Sequence, residues 1–228
     1  MLTKKKQLSK KEIKEDTLVT SYYKAVKFFD DYKSKIYIYA AALVVVAAAV
    51  YWYMDNKAKN NEQANVELSR IMDLYDSGAY QEAIDGRAGT NVAGLKKIVE
   101  QYGSTENGEA AKIYLANSYN LLGKYDEAFK YYNDYSGSNK LFKATALAGK
   151  ASYFESKNEL EKAADSFKDA AHVSKENVNN PDYLLNSGID YLKAGKKELA
   201  LEQFNKIKED YKNSLASRDV EQYLALAK

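Results

Sequence analysis

Few residues in this chain could do covalent or acid–base chemistry, and none stands in the company such chemistry needs. His172 is the single histidine and there is no cysteine. A side-chain nucleophile needs a base within hydrogen-bond reach and a third group to orient that base. His172 instead lies in an alanine-rich stretch beside Ala170, Ala171 and Val173. Zinc asks for several Cys or His at fixed spacing, which this composition does not offer. A phosphate loop needs glycine, four residues, then Gly-Lys and Ser or Thr. Gly123-Lys124 has Ser118 at the first-glycine position, and Gly149-Lys150 has Ala144 there and Ala151 after it. The carboxylates are interleaved with lysine on helical faces, as at Glu159, Glu161, Lys162 and Asp165, which reads as a solvated surface. No catalytic residue, metal or cofactor is expected, and the chain reads as a non-enzymatic protein that binds.

The elements that would carry such binding begin with residues 36–54, IYIYAAALVVVAAAVYWYM, from Ile36 to Met54. These 19 residues hold no charge, no Pro and no Gly. As a helix they span about 28 Å, close to the ~30 Å hydrocarbon core of a bilayer. Tyr37 and Tyr39 stand at one end and Tyr51, Trp52 and Tyr53 at the other, where amphipathic rings meet headgroups. A buried core helix is the competing reading, but core helices seldom keep so long a charge-free run with aromatics at both ends. A cleaved signal peptide has a shorter apolar region near its start, whereas about 35 residues precede this one. The expectation is an uncleaved anchor in membrane lipid.

Charge sets the expected orientation. Before the span, ten lysines face five carboxylates, a balance of +5; the whole chain carries +2, leaving about −3 for residues 36–228. Lys and Arg beside a span tend to remain cytoplasmic, and Lys24, Lys27, Lys33 and Lys35 lie close before it. This predicts a cytoplasmic tail over 1–35, one crossing over 36–54, and a large domain beyond the membrane. Within the tail, residues 1 to about 8 read as disordered. Leu18, Tyr22, Val26 and Phe29, with Val19, Tyr23 and Phe28 beside them, predict an amphipathic helix, suited to anionic lipid or to a cytoplasmic docking partner. The outer domain is slightly acidic, so no nucleic acid is expected as a partner. Its 174 residues suffice for a core without disulfides.

The region after the span repeats one frame. Residues 55–77 continue a helical stripe through Ala64, Leu68, Ile71, Met72 and Tyr75, as a stalk and the start of a first hairpin. Then Gly78, Gly123, Asn158 and Gly195 each precede an alanine by five residues: Ala83, Ala128, Ala163 and Ala200. Gly and Asn suit the left-handed residue that closes a helix. Four residues before each turn stand Leu74, Tyr119, Phe154 and Tyr191; nine after the last three stand Tyr132, Phe167 and Phe204. These large residues read as packing. The turns are spaced 45, 35 and 37 residues apart, the mark of stacked helical hairpins. The first hairpin is expected to break at Gly86, Gly89 and Gly94, with a further helix at about 92–102. Residues 215–228, with Leu215, Val220, Tyr223 and Leu224, read as a capping helix, which a repeat array needs at its end.

Residues 109–135 (EAAKIYLANSYNLLGKYDEAFKYYNDY) resemble a tetratricopeptide repeat, and 141–171 and 182–211 follow the same frame. The expected fold is all-α: one N-terminal transmembrane helix followed by a tetratricopeptide-like α-solenoid over 78–214. The order of parts is similar to the ancillary SecYEG translocon subunit family of the YfgM type. The likeness runs through AVKFF at 25–29, the Ala/Val-rich span ending in Tyr51-Trp52-Tyr53, LKKIVEQY at 95–102, and NELEKAA at 158–164. The longer Lys-rich N-terminus and the clearer repeats depart from that type.

This resemblance implies a bacterial inner-membrane protein with its repeats in the periplasm. Its partners would be Sec translocon subunits and a membrane-anchored periplasmic chaperone of the PpiD type, which it would link to emerging clients. Tetratricopeptide arrays line their concave face with first helices, which on this frame implies Ile113, Asn117, Asn120, Ser152, Glu155, Asp182, Leu185 and Ile189 as the partner-binding face. A scaffold for envelope assembly or cell division would use the same anchor and repeats. A cytosol-facing receptor would need the opposite topology, against the lysine bias.

Overall fold

A computed structural model describes residues 10–227, with side chains from residue 19 onward. The Lys-rich stretch 1–8, read above as disordered, lies outside the described residues, as does the side chain of Leu18. Among the described residues all regular structure is helical. It comprises α1 (Lys10–Asp76), α2 (Tyr80–Asp85), α3 (Leu95–Tyr102), α4 (Glu106–Leu121), α5 (Tyr125–Asn133), α6 (Lys140–Ser156), α7 (Leu160–His172), α8 (Asn180–Lys193), α9 (Lys197–Asp210) and α10 (Leu215–Ala227). One isolated antiparallel bridge joins Gly86 and Ala93.

The chain divides into two compact units, residues 1–56 and 57–228. In the first, the absence of helix breakers before Gly78 leaves α1 nothing to end it. From residue 19 to 56 every side chain is exposed except Ile36 and Asp55, which are half-buried. This unit contains one helix long and apolar enough to cross a membrane. Residues 19–29 are helical, as expected, and Tyr22, Tyr23, Val26, Phe28 and Phe29 are all exposed. Neighbouring rings meet along the helix, Phe28 with Tyr32 at 4.8 Å and Phe29 with Tyr37 at 6.0 Å between centroids.

In the second unit four turns share one geometry. Gly123 adopts φ +72°; its N–H donates to the Asn120 carbonyl, and the Lys124 N–H to the Tyr119 carbonyl at 2.9 Å. Such a pair of bonds satisfies the carbonyls a helix end leaves orphaned. The same two bonds recur at Gly78 (with Tyr75 and Leu74), Asn158 (with Glu155 and Phe154) and Gly195 (with Leu192 and Tyr191). Asn158 takes φ 57°, the one non-Gly residue in the left-handed region among those described. Asparagine tolerates that region where most side chains do not. Elsewhere side chains start the helices. Thr105 Oγ1 accepts the Gly108 N–H, and Asn139 Oδ1 accepts those of Leu141 and Phe142, the N-cap role. Pro181 sits in the first turn of α8, where its missing N–H costs nothing.

Packing runs from neighbour to neighbour: α4 on α5, α5 on α6, α6 on α7, α7 on α8, α8 on α9 and α9 on α10. The turn alanines Ala83, Ala128, Ala163 and Ala200 are buried, and so are Tyr119, Tyr132, Phe167, Tyr191 and Phe204. One core gathers Leu68, Ile71 and Leu74 of α1 with Ile84, Leu95, Ile98, Ile113, Leu115, Tyr119 and Tyr132. A second joins Leu184, Tyr191, Phe204, Ile207 and Val220, and a small third holds Ala151, Ala163 and Phe167. Close approach is built from glycine: a Cβ on Gly188 would lie 2.2 Å from the Phe204 ring, and one on Gly149 2.2 Å from the Tyr132 ring. The first hairpin is cut short, as α2 ends at Asp85 and α3 starts at Leu95. In α10, Val220 is buried, but Leu215 is exposed at the helix start; it does not share in the cap's packing.

Candidate partner-binding face

The predicted face draws on α4, α6 and α8. Ile113 must be withdrawn from it: the residue is 1 % exposed and belongs to the first core. The reason is that α4 is enclosed by several helices, so that Ala110, Ala111, Lys112, Ile113, Leu115 and Ala116 are all buried. Asn117 and Asn120 on α4, Ser152 on α6, and Leu185 and Ile189 on α8 are half-buried; Glu155 and Asp182 are exposed.

Two of these residues are engaged in ways that spacing alone does not reveal. Asn117 bridges two tyrosines. Its Oδ1 accepts the Tyr132 hydroxyl at 2.7 Å, and its Nδ2 donates to the Tyr75 hydroxyl at 3.3 Å. Burial pushes both phenols up from their ordinary value, so both hydroxyls stay protonated, Tyr132 donating and Tyr75 accepting. Tyr75 also meets Tyr80 and Tyr114 edge to face, with centroids 5.7 and 5.1 Å apart, and Tyr114 meets Phe142 at 6.0 Å. Such ring pairs add about 0.5–1.5 kcal/mol each beyond area burial. Asn117 is thus a tie between the end of α1, α4 and α5 as well as a face residue. Glu155 is the second case: burial, then the charge of Asp190 on α8, pushes its carboxyl above the ordinary value, and Asp190 is itself 1 % exposed. Leu185 and Ile189 pack at the edge of the second core, and Asn120 Oδ1 is buried with no hydrogen-bond donor.

No protein-family model matches this chain, and no curated protein or solved structure matches it either. The site is therefore argued from its own residues. Asp190, Tyr75 and Tyr132 are the neighbours of the predicted face that the spacing missed. Asp190 directly precedes Tyr191 of the repeated frame, so a charge beside a core aromatic was the available signal.

The residues considered first for chemistry are placed as follows. His172 is exposed; its Nδ1 lies 2.6 Å from the Lys168 carbonyl and its Nε2 3.4 Å from Lys206 Nζ. Asp165 is more than surface charge: it accepts the Tyr191 hydroxyl, and Lys168 Nζ sits 3.1 Å from it. Those hydrogen bonds hold Asp165 below its ordinary carboxylate value against the opposing effect of burial. Among the described residues no three His, Cys, Asp or Glu come together as a metal site. A cavity of about 650 Å³ lies apart from the predicted face, between Glu67, the 85–94 loop, Lys97, Gln101 and Tyr102.

Proposed function

We propose that this protein is a membrane-anchored, tetratricopeptide-like repeat protein of the bacterial inner membrane. Its N-terminus is cytoplasmic, its repeats are periplasmic, and it serves as an accessory subunit of the Sec translocon. The repeats bind a membrane-anchored chaperone of the PpiD type and clients leaving the channel. The observation that carries this reading is the exposure of every residue of the apolar run from 37 to 54, in a chain whose other unit gathers its apolar residues into buried clusters. Such a helix finds in lipid what water does not offer, since every backbone group is satisfied internally.

The four equal turns support the repeat reading, and the lysine excess before the span supports the orientation. The resemblance in the order of parts supports the translocon. Tethering would raise the effective concentration of the binding face at the channel exit, so modest affinity for each client suffices.

The test is gentle solubilisation and purification through a C-terminal tag, with co-purifying proteins identified by mass spectrometry. The expected result is recovery of Sec subunits with a periplasmic chaperone, lost when residues 36–54 are replaced by an unrelated span. Envelope-synthesis or division proteins in their place would overturn the translocon role in favour of a scaffold. A reporter at Lys228 that reads cytoplasmic would overturn the topology.

A further inference from the structure

The part of α1 that precedes the span carries an apolar seam that no described residue covers. Val19, Tyr22, Val26, Phe29 and Ile36 follow one another in alternating steps of three and four residues, with Lys33 filling the one remaining place. That alternation averages 3.5 residues, the spacing of a helix that winds around another helix. Lys24, Lys27, Asp31 and Lys35 fall on the opposite side. All of these side chains are exposed except Ile36, which is half-buried. The same steps run on through the span, at Ala40, Leu43, Ala47, Val50 and Met54. Lipid does not reach the part before the span. α1 is unbroken from Lys10 to Asp76, and no Gly or Pro precedes Gly78. A sharp kink needs such a residue or a break in the backbone ladder. Residues 19–35 therefore continue the axis of the span and stand out of the bilayer instead of lying on it. A helix in water is held mainly by the packing of its apolar face, and here the chain itself supplies nothing to pack against.

We propose that the seam is covered by a second copy of this chain, α1 pairing with its equivalent in a parallel, left-handed coiled coil from Val19 to Met54. Three observations favour a second copy. Register is the first. A copy inserted in the same membrane with the same orientation meets the seam layer by layer, in water and in lipid alike. Charge is the second. Lys33 is the one charged layer of the seam, and its Nζ lies 3.6 Å from Asp30 Oδ1 of its own chain, both side chains being largely exposed. Long helical side chains lean toward the N-terminus, so in a parallel pair each Lys33 also faces the second copy's Asp30. A single lysine at such a position fixes register and strand number. Extent is the third. The helix from Val19 to Met54 is about 54 Å long and about 10 Å across. Two copies side by side cover on the order of 1,000 Å² in total, the size that a specific interface asks for.

In this pair Tyr23 and Tyr32 border the seam, and Phe28 lies outside it. The pairing is isologous, so it closes at two copies and leaves no further seam to extend. It brings two repeat arrays to one place in the membrane. A ligand long enough to engage both is held more tightly than by either alone. The pairing goes beyond the translocon reading and needs only that residues 36–54 lie in a membrane.

The chain has no cysteine, so single cysteines can be placed in the full chain and oxidised mildly in intact membranes. A disulfide closes only where the two Cα atoms come within about 7 Å. Tyr22→Cys, Phe29→Cys and Leu43→Cys, all on the seam, are expected to give a covalent dimer. Lys24→Cys, Asp31→Cys and Val45→Cys, on the far side, are expected to stay monomeric. Equal bands at all six positions, no dimer at any, or adducts only with other proteins overturn the pairing. A second measurement co-expresses two differently tagged copies and purifies through one tag. Val26→Glu with Phe29→Glu in both copies is expected to cut recovery of the other copy several-fold, whereas Phe28→Glu leaves it unchanged. Recovery that the seam variant leaves intact overturns the pairing independently. Alkaline extraction of the same membranes reads insertion separately. A chain that resists extraction yet yields no dimer loses the pairing and keeps its anchor.

Discussion

Phe28 and Phe204 are the same side chain in opposite settings. Phe28, in α1 before the apolar run, is 60 % exposed; Phe204, in α9, is 0 % exposed. In α9 the buried residues Ala200, Gln203, Phe204 and Ile207 recur at the spacing of one helix face, while Glu202 and Glu209 point to water. Such a helix needs apolar cover on one face and finds it in α8 and α10. Residues 36–54 are apolar at almost every position, so no single neighbour could cover them, and only an apolar solvent all round would. The comparison teaches that the arrangement of apolar residues, more than their amount, decides whether a helix seeks another helix or a membrane.

Four substitutions break or sharpen this contrast. The largest effect is expected from Phe204→Ala. Emptying a site that also touches Gly188 should cost about 3–5 kcal/mol, read as a fall in the unfolding midpoint of the full chain in detergent. Phe28→Ala should leave the same midpoint unchanged, and equal losses at the two positions would erase the distinction. Next is Val45→Asp, in the middle of the run. An acid at the bilayer centre raises the free energy of insertion by about 2.5–3.5 kcal/mol. The fraction of protein resisting alkaline extraction from membranes should drop, and an unchanged fraction would argue that this helix does not cross. The smallest is Tyr132→Phe, which removes the donor to Asn117 Oδ1 while keeping the ring against Gly149. A loss of about 1 kcal/mol is expected in urea unfolding. No loss would mean that water takes the hydroxyl's place.

What could be read in advance followed from local chemistry. The left-handed residue at Gly123, Asn158 or Gly195 needs nothing beyond its own helix, and the alanine five residues on needs only a close neighbour. Hence the turns, the buried alanines and the short first hairpin stood in the spacing. The candidate face was less legible because it depends on what surrounds each helix. Ile113 occupies a register position that an open array would expose, but α4 is enclosed. Asn117 looks like any polar face residue until Tyr75 and Tyr132 arrive from positions 42 and 15 residues away. Asp190 is buried on α8 with its Oδ2 unmet by any donor, which its place beside Tyr191 in the sequence does not announce. The 85–94 loop lines the cavity and is tied across by the Gly86–Ala93 bridge, a contact that no periodicity encodes.

The four turns have one consequence for how such a chain can change. Each closes with two hydrogen bonds that reach back no more than five residues, so no turn depends on which hairpin comes next. A hairpin could be gained, lost or exchanged as a cassette, and the new junction would still close by the same bonds. What would have to be renegotiated is the aromatic-on-glycine contact between helices, as at Tyr132 with Gly149. The turns themselves therefore set no limit on how many such hairpins can follow one another; the contacts between helices do.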